Sequence, residues 1–129
     1  MACAMSPTVL RPAEVVLLTE NTLVSAGNTI LLTCIGYGNP LPSLSWERVG
    51  HDILRNDCRT TIFESMTVRN GAKFARSILQ ICEVTDGEDT GVFSCTSGNV
   101  LYNHSATVEL TVHGTLYNDV VAMCRFSKS

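Results

Sequence analysis

The sequence predicts an all-β fold, a β-sandwich made of two antiparallel sheets, and two observations carry that prediction. Apolar residues alternate with polar ones in the two-residue period of half-buried strands, as at Ile30, Leu32 and Cys34. Clusters of glycine, proline and asparagine interrupt these stretches at short intervals, and no helical periodicity appears between them. With 129 residues, 45% of them hydrophobic, the chain has the size of one domain with a core of its own.

The predicted strands follow one another along the chain with a turn signal between neighbours. Asn70-Gly71 is the strongest of these signals, a two-residue hairpin of type I′ that joins strands D and E. Val49 to Asp52 form another turn, after strand C. The predicted elements are strand A at 13–18, strand B at 29–35, a B–C loop at 36–42, strand C around Leu44 and Trp46, strand C′ or D within 53–63, strand E at 78–81, strand F at 92–97 and strand G at 106–112. Residues 1–12 are predicted to be a lead-in, 13–113 the domain, and 114–129 a linker or tail.

Charge and motifs exclude several classes of function. A net charge of −3 provides no basic field for nucleic acid or for an anionic membrane surface. No stretch of apolar residues is long enough to span a bilayer, so this segment is not expected to insert into a membrane. We find no nucleophile elbow, metalloprotease motif or phosphate loop, and therefore expect neither an enzyme nor a cofactor. His51, His104 and His113 lack ligand spacing, so no metal site is expected.

Six cysteines in so short a chain favour an oxidising compartment. The first residues have neither the charged nor the apolar region of a secretory signal. If the domain is extracellular, we therefore expect the chain to be part of a larger protein. The alternative is a cytoplasmic domain that starts at its own Met1.

Two motifs resemble the I-set branch of the immunoglobulin superfamily, over roughly residues 12–112. One runs Gly27-x-x-Ile30-x-Leu32-x-Cys34-x-Gly36-x-Gly38-x-Pro40-x-Pro42-x-Leu44-x-Trp46, and the other joins Leu79-x-Ile81-x-x-Val84 to Asp89-x-Gly91-x-Phe93-x-Cys95. The resemblance implies an immunoglobulin-like sandwich with Greek-key topology. It also implies a Cys34–Cys95 disulfide between the sheets and a core that contains Trp46, Leu79, Ile81, Asp89, Gly91 and Phe93.

The resemblance has one further consequence, and the sequence departs from the family pattern in two places. In the family, the aspartate aligned with Asp89 often pairs with a basic residue near strand D, which makes Arg59 the candidate partner. Phe93 stands where the family usually has tyrosine, so the hydroxyl of the tyrosine corner is missing. The sequence separation of 61 positions from Cys34 to Cys95 is long for an I-set domain and leaves room for a C′ strand or a long C′–D excursion.

The remaining cysteines leave their pairing open. Cys82 is predicted to point out of its sheet, and Cys58 lies in the segment expected to form the neighbouring strand. Either they form a second bridge or both thiols are unpaired. Cys3 and Cys124 fall outside the predicted sandwich, where we favour free thiols or links to parts of a larger protein.

The interpretation that follows is an extracellular recognition module of a receptor or adhesion protein, which binds a protein partner. Homophilic pairing is left open. The face of strands C, F and G is predicted to be polar, so the loop tips at one pole are the favoured contact. The candidate contact residues are Tyr37, Leu41, Val100, Leu101 and Tyr102.

Three alternatives accompany this interpretation. A local excess of positive charge between residues 55 and 76 could attract sulfated polysaccharide, although a solvated face explains it as well. Asn103-His104-Ser105 is a sequon that predicts an N-linked glycan at Asn103, which would shield this end of the domain and argue against the loop tip there as the contact surface. The alternative function is a structural spacer of an intracellular filament protein, with no specific ligand.

Overall fold

The computed structural model describes residues 9–114 and forms a sandwich of eight strands and one short helix. The alternating apolar residues form the strands, and the glycine, proline and asparagine clusters lie mainly at their ends. The elements are β1 (Arg11–Leu18), β2 (Thr22–Ser25), β3 (Ile30–Asn39), β4 (Ser43–Arg48), β5 (Thr60–Arg69), β6 (Ala72–Ile81), α1 (Asp86–Asp89), β7 (Gly91–Gly98) and β8 (Asn103–His113).

Two four-stranded sheets pack face to face. The first has the order β1-β3-β6-β5 and the second the order β2-β8-β7-β4. All pairs are antiparallel except β2 with β8. His104 joins the two sheets, because its Nδ1 accepts a hydrogen bond of 2.8 Å from the backbone N–H of Val15. The predicted immunoglobulin-like sandwich is confirmed.

The centre of the sandwich is the disulfide between Cys34 on β3 and Cys95 on β7, with an S–S distance of 2.06 Å. It joins one central strand of each sheet, and both cysteines are completely buried. The implied disulfide is therefore present. The predicted core residues Trp46, Leu79, Ile81, Phe93 and Asp89 are buried as well. Gly91, predicted to lie in the core, is only half-buried at the start of β7.

Trp46 is held by a hydrogen bond that crosses the sandwich. Its indole Nε1–H donates to Ser77 Oγ at 2.9 Å, in a fully buried position. Ser77 lies on β6 and Trp46 on β4, so the bond ties together strands of opposite sheets. A second buried serine, Ser97, has no hydrogen-bond partner for its hydroxyl. The sequence motifs identified the indole but neither serine.

Arg59 stabilises the turn at which the helix begins. Its Nη2 donates to Asp89 Oδ2 at 2.5 Å, its Nε to the carbonyl of Cys82 at 3.2 Å and its Nη2 to the carbonyl of Glu83 at 3.1 Å. The Asp89 carboxylate also accepts from the N–H of Thr85 at 2.7 Å. The predicted pairing of Arg59 with Asp89 is confirmed.

Burial and charge act in opposite directions on Arg59. Burial alone lowers the pKa of the Arg59 guanidinium, because it disfavours the charged form. The hydrogen bond and the charge of Asp89 outweigh that effect, with help from the charge of Glu88, and raise this pKa above its ordinary value. Arg59 thus stays charged at the edge of the core.

The strands differ from the prediction at both ends of β3. The predicted strand A at 13–18 lies within β1, and β2, which was not predicted, follows it in the other sheet, because residues 19–21 carry the chain across the sandwich. Strand B continues through Gly36 and Gly38 to Asn39, which shortens the predicted B–C loop of 36–42 to residues 40–42. A side chain at Gly36 would lie 2.6 Å from Ser97 Oγ, so glycine here permits close packing instead of a turn.

The segment between β4 and β5 forms no C′ strand. Residues 49–59 contain a single bridge, from Ile53 to Glu47, and strand D begins only at Thr60. The prediction of C′ or D within 53–63 therefore holds only for the start of D. Asn70 and Gly71 both have positive φ, 50° and 81°, and join β5 to β6 as predicted.

Both alternatives for Cys58 and Cys82, a bridge between the two or two unpaired thiols, are wrong. Cys58 is a free, exposed thiol, because it lies in the irregular segment before β5 and not on a strand. Cys82 follows β6, is buried and is disulfide-bonded to a different residue. Cys3 and Cys124, most of the predicted lead-in and nearly all of the predicted tail lie outside the described residues.

The two buried serines allow a matched test of the core. Ser77→Ala leaves the Trp46 N–H buried without an acceptor and should lower the free energy of unfolding by about 1–3 kcal/mol. Ser97→Ala removes a hydroxyl that has no partner, so it should leave stability unchanged or raise it. Urea unfolding followed by Trp46 fluorescence measures both. Equal destabilisation by the two changes would contradict the role assigned to the Trp46–Ser77 bond.

Candidate functional site

The candidate site is the pole of the sandwich at which two connections meet the start of β1. Residues 40–42 join β3 to β4, and residues 99–102 join β7 to β8. Val9 and Leu10 lead into β1 beside them, because Asn39 donates a hydrogen bond from Nδ2 to the carbonyl of Val9 at 2.8 Å. Three separate parts of the chain thus form one surface.

Asn99 holds these three parts together. Its Nδ2 donates to the carbonyls of Arg11 and Pro40, both at 3.0 Å. Its Oδ1 accepts from the backbone N–H groups of Ala13, Leu101 and Tyr102, at 3.3, 3.0 and 3.2 Å. A single amide side chain therefore fixes the turn after β7 and attaches it to β1 and to the β3–β4 connection.

The side chains that this framework presents to solvent are mostly apolar. Leu101 and Tyr102 are 43% and 57% exposed, and Val100 is 86% exposed. Nothing in the fold requires a valine so far out in water, since burial is what makes an apolar side chain stabilising. We call the following residues the apolar tip: Val9, Leu10, Leu41, Val100, Leu101 and Tyr102.

Tyr37 was predicted to lie in the loop at this pole, and that prediction is wrong. It belongs to β3 and faces outward from the first sheet, because strand B is longer than expected. Its ring packs against Phe74, with centroids 5.0 Å apart, and the guanidinium of Arg11 lies over it at 5.9 Å. Leu41, Val100, Leu101 and Tyr102 do lie together at the pole and are exposed.

The outer face of the second sheet carries small, mostly polar side chains near this pole. The register places Ser43, Gly98 and Asn103 in one row and Ser45, Thr96 and Ser105 in the next. Thr96 and Ser105 share a hydrogen bond between their hydroxyls at 2.6 Å. Asn103 is exposed and its side chain lies over Gly98, where an added Cβ would clash with Asn103 Oδ1. The sequon residue is therefore accessible on this face.

The outer face of the first sheet carries a second exposed surface that sequence reasoning missed. A shallow groove of about 810 Å³ crosses it, and its lining residues include Leu17, Ile35 and Phe74 together with Arg69 and Arg76. These apolar side chains lie at the outward positions of the strands, where the alternating pattern predicts polar residues. Arg59, one of the basic residues counted in the positive excess between 55 and 76, is paired with Asp89, so its charge is not free to attract an anion.

Among residues 9–114, no group of His, Cys, Asp and Glu side chains is placed to hold a metal ion. In the same part of the chain, no helix has the length and hydropathy needed to cross a membrane. Its single helix, α1, spans only Asp86–Asp89. This pole therefore provides a surface for contact with another molecule. The surface is apolar at the tip and polar on the adjoining sheet.

Comparison with known proteins finds adhesion molecules among the similar sequences. The chain is 29% identical to chicken (Gallus gallus) neuronal cell adhesion molecule over 99 residues, 77% of this chain and 7% of that protein. It is 31% identical to the cell adhesion molecule Dscam1 of Drosophila melanogaster over 98 residues, 76% of this chain and 5% of that one. The chain thus spans less than a tenth of either relative.

Solved structures share the architecture. The N-terminal eight immunoglobulin domains of Down syndrome cell adhesion molecule superpose with a TM-score of 0.71 at 28% identity, over 81% of this chain and 13% of that one. A chimeric titin Z1Z2 structure gives a TM-score of 0.65 at 21% identity, over 83% of this chain and 100% of that one, which shows the fold alone. The family model described as immunoglobulin domain matches residues 12–99. The chain belongs to the immunoglobulin domain family.

Proposed function

We propose that this chain is an extracellular recognition module, part of a receptor or adhesion protein, and that it binds a protein partner through the apolar tip. The observation that carries the proposal is the combination of exposure and order at one pole. Val100 is 86% exposed, yet the turn that bears it is held by Asn99 in contact with two other segments. A rigid, exposed apolar surface loses little conformational entropy when a partner covers it.

Other observations support the extracellular location. Cys34 and Cys95 form one disulfide, and Cys82 takes part in another. Disulfides persist in oxidising compartments and are rare in the cytosol. The similarity to neuronal cell adhesion molecule and Dscam1 agrees with such a location. We propose no catalytic activity for the domain, and a spacer role in an intracellular filament remains the competing function.

A change of charge at the tip tests the binding surface. Val100→Asp places a carboxylate at the most exposed apolar position, so it should leave the stability unchanged and weaken partner binding at least about tenfold. The wild-type chain and its variants, multimerised on a fluorescent scaffold, are compared by staining cells of the source organism. Leu23→Asp is the matched control, because Leu23 is 69% exposed on β2. Equal loss of staining by both variants would remove the apolar tip from the proposal.

A glycan at Asn103 separates the extracellular function from the spacer. Asn103 lies over Gly98 on the outer face of the second sheet, whereas the apolar tip lies on the connections beyond the strand ends, so the proposal requires that the glycan cover the sheet face and not Val100. Expressed through a eukaryotic secretory pathway, the chain should carry an N-linked glycan that a glycosidase removes and that Asn103→Gln abolishes. Ser105→Ala should also abolish it, and Thr107→Ala, on the same strand outside the sequon, should not. Mass spectrometry of the native protein from its own tissue decides the function: reduced cysteines together with an unmodified Asn103 would favour the spacer.

Two substitutions of Asn99 test whether the tip is preorganised. Asn99→Ala removes every bond of the side chain, so amide hydrogen exchange at Leu101 and Tyr102 should accelerate about tenfold or more. Asn99→Asp keeps the accepting oxygen and should preserve protection there, while it loses the donated bonds to Arg11 and Pro40. Both variants should weaken binding. Unchanged exchange in Asn99→Ala would show that the turn is ordered without this side chain.

A further inference from the structure

The first sheet has the order β1-β3-β6-β5, so β5 is one of its two edge strands. Residues on such a strand alternate, so that every second one directs its backbone N–H and C=O away from the neighbouring strand. The N–H of Ile62 donates to Asn56 Oδ1 and that of Thr60 to Asp57 Oδ1, both at 2.7 Å. The even-numbered residues of β5 therefore face away from β6.

The register shows that this alternation continues to the end of the strand. β5 pairs with β6 without a bulge from Thr60 opposite Ile81 to Arg69 opposite Ala72. Among residues 9–114, nothing pairs with the N–H and C=O groups of Glu64, Met66 and Val68, which consequently point away from β6. The segment before β5 covers only the first part of the edge, where Asn56 and Asp57 are bound.

Apolar side chains accompany this uncovered backbone. Phe63, Met66 and Val68 are 51%, 49% and 58% exposed. An uncovered edge strand of this length normally carries lysine, proline or a bulge that prevents pairing with another chain. Residues 60–68 contain no lysine and no proline, so this edge lacks those protections.

We infer that β5 pairs with β5 of a second copy of this chain, antiparallel about a two-fold axis at Met66, and joins the first sheets of two molecules into one. In that register Met66 lies opposite Met66 of the second copy, and Glu64 opposite Val68. Each of these facing pairs exchanges two backbone hydrogen bonds. All three uncovered residues thereby find partners.

The side chains and the length of the strand both favour the register that places Met66 opposite Met66. Phe63 comes to lie opposite Arg69 of the second copy on the outer face, where a guanidinium can stack on the ring. The second copy turns at Asn70-Gly71, opposite Ile62, just where Asn56 begins to cover the edge. A shift that placed Glu64 opposite itself would set two carboxylates against each other.

This pairing uses a surface distinct from the apolar tip, so the two proposals fail separately. Sedimentation equilibrium of the full chain should show a reversible dimer. Met66→Lys sets two ammonium groups opposite each other on the axis and should raise the dissociation constant at least about tenfold. Leu23→Lys and Val100→Lys, matched changes at exposed apolar positions elsewhere, should leave it unchanged. A chain that is monomeric up to about 1 mM, or a dimer that Val100→Lys dissociates and Met66→Lys does not, would overturn the inference.

Cross-linking tests the register in a Cys58→Ser background. Facing hydrogen-bonded residues have Cα atoms about 5.5 Å apart, within the range of a disulfide, so Met66→Cys should form a covalent dimer on mild oxidation. Val68→Cys lies opposite Glu64 and should not. Equal cross-linking of both variants, or of Val68→Cys alone, would contradict the proposed axis.

Discussion

The structure depends on the covalent link between the central strands of its two sheets. Cys34 on β3 and Cys95 on β7 meet in the core, and Trp46 is buried there on the strand beside β7. Closing a loop of this length stabilises the fold by roughly 4 kcal/mol in the chain-entropy model. The hydrogen bond from Trp46 to Ser77 adds a second, polar connection between the sheets. With both connections present, relative sliding of the two layers is resisted at their centre.

The order of the apolar tip follows from that centre. β3 and β7 both run from the disulfide toward the same pole, where they end at Asn39 and Gly98. Gly36 and Ser97 pack so closely between them that a single added methyl group at Gly36 would clash. The two connections that follow therefore emerge at fixed positions, and Asn99 can reach both its own turn and the carbonyl of Pro40. Contact residues on such a framework are placed by the core, in the way that loops on a rigid scaffold carry function.

The sequence was most informative where a pattern has one physical solution. Alternation can be satisfied only by strands, and the Asn70-Gly71 pair suits a turn with two positive φ angles. The pairing of Arg59 with Asp89 came from a family resemblance and is present in the structure. Tyr37 was misplaced because two glycines beside it indicated a loop, although in this fold Gly36 permits close packing within a strand.

Asn99 and the free thiol of Cys58 show what sequence patterns could not supply. The partners of the Asn99 amide include residues 88 and 59 positions away, and local spacing contains no information about contacts at that range. Cys58 fails to pair because the strand it was assigned to begins two residues later. Boundaries and distant contacts are set by packing, whereas the strands themselves are set by local alternation.

The connection between β4 and β5 covers only part of the β5 edge. Residues 49–59 cross between the sheets with one isolated bridge, so they add no strand to either sheet. The side chains of Asn56 and Asp57 accept hydrogen bonds from backbone N–H groups at the beginning of β5. The rest of the β5 edge receives no such bond from this segment. Had the same residues formed a C′ strand on β4, the edge of the second sheet would be extended and that of β5 would still be uncovered. The long spacing between the core cysteines therefore supplies a segment that covers only the start of the β5 edge. The part of the edge that it leaves uncovered is centred on Met66.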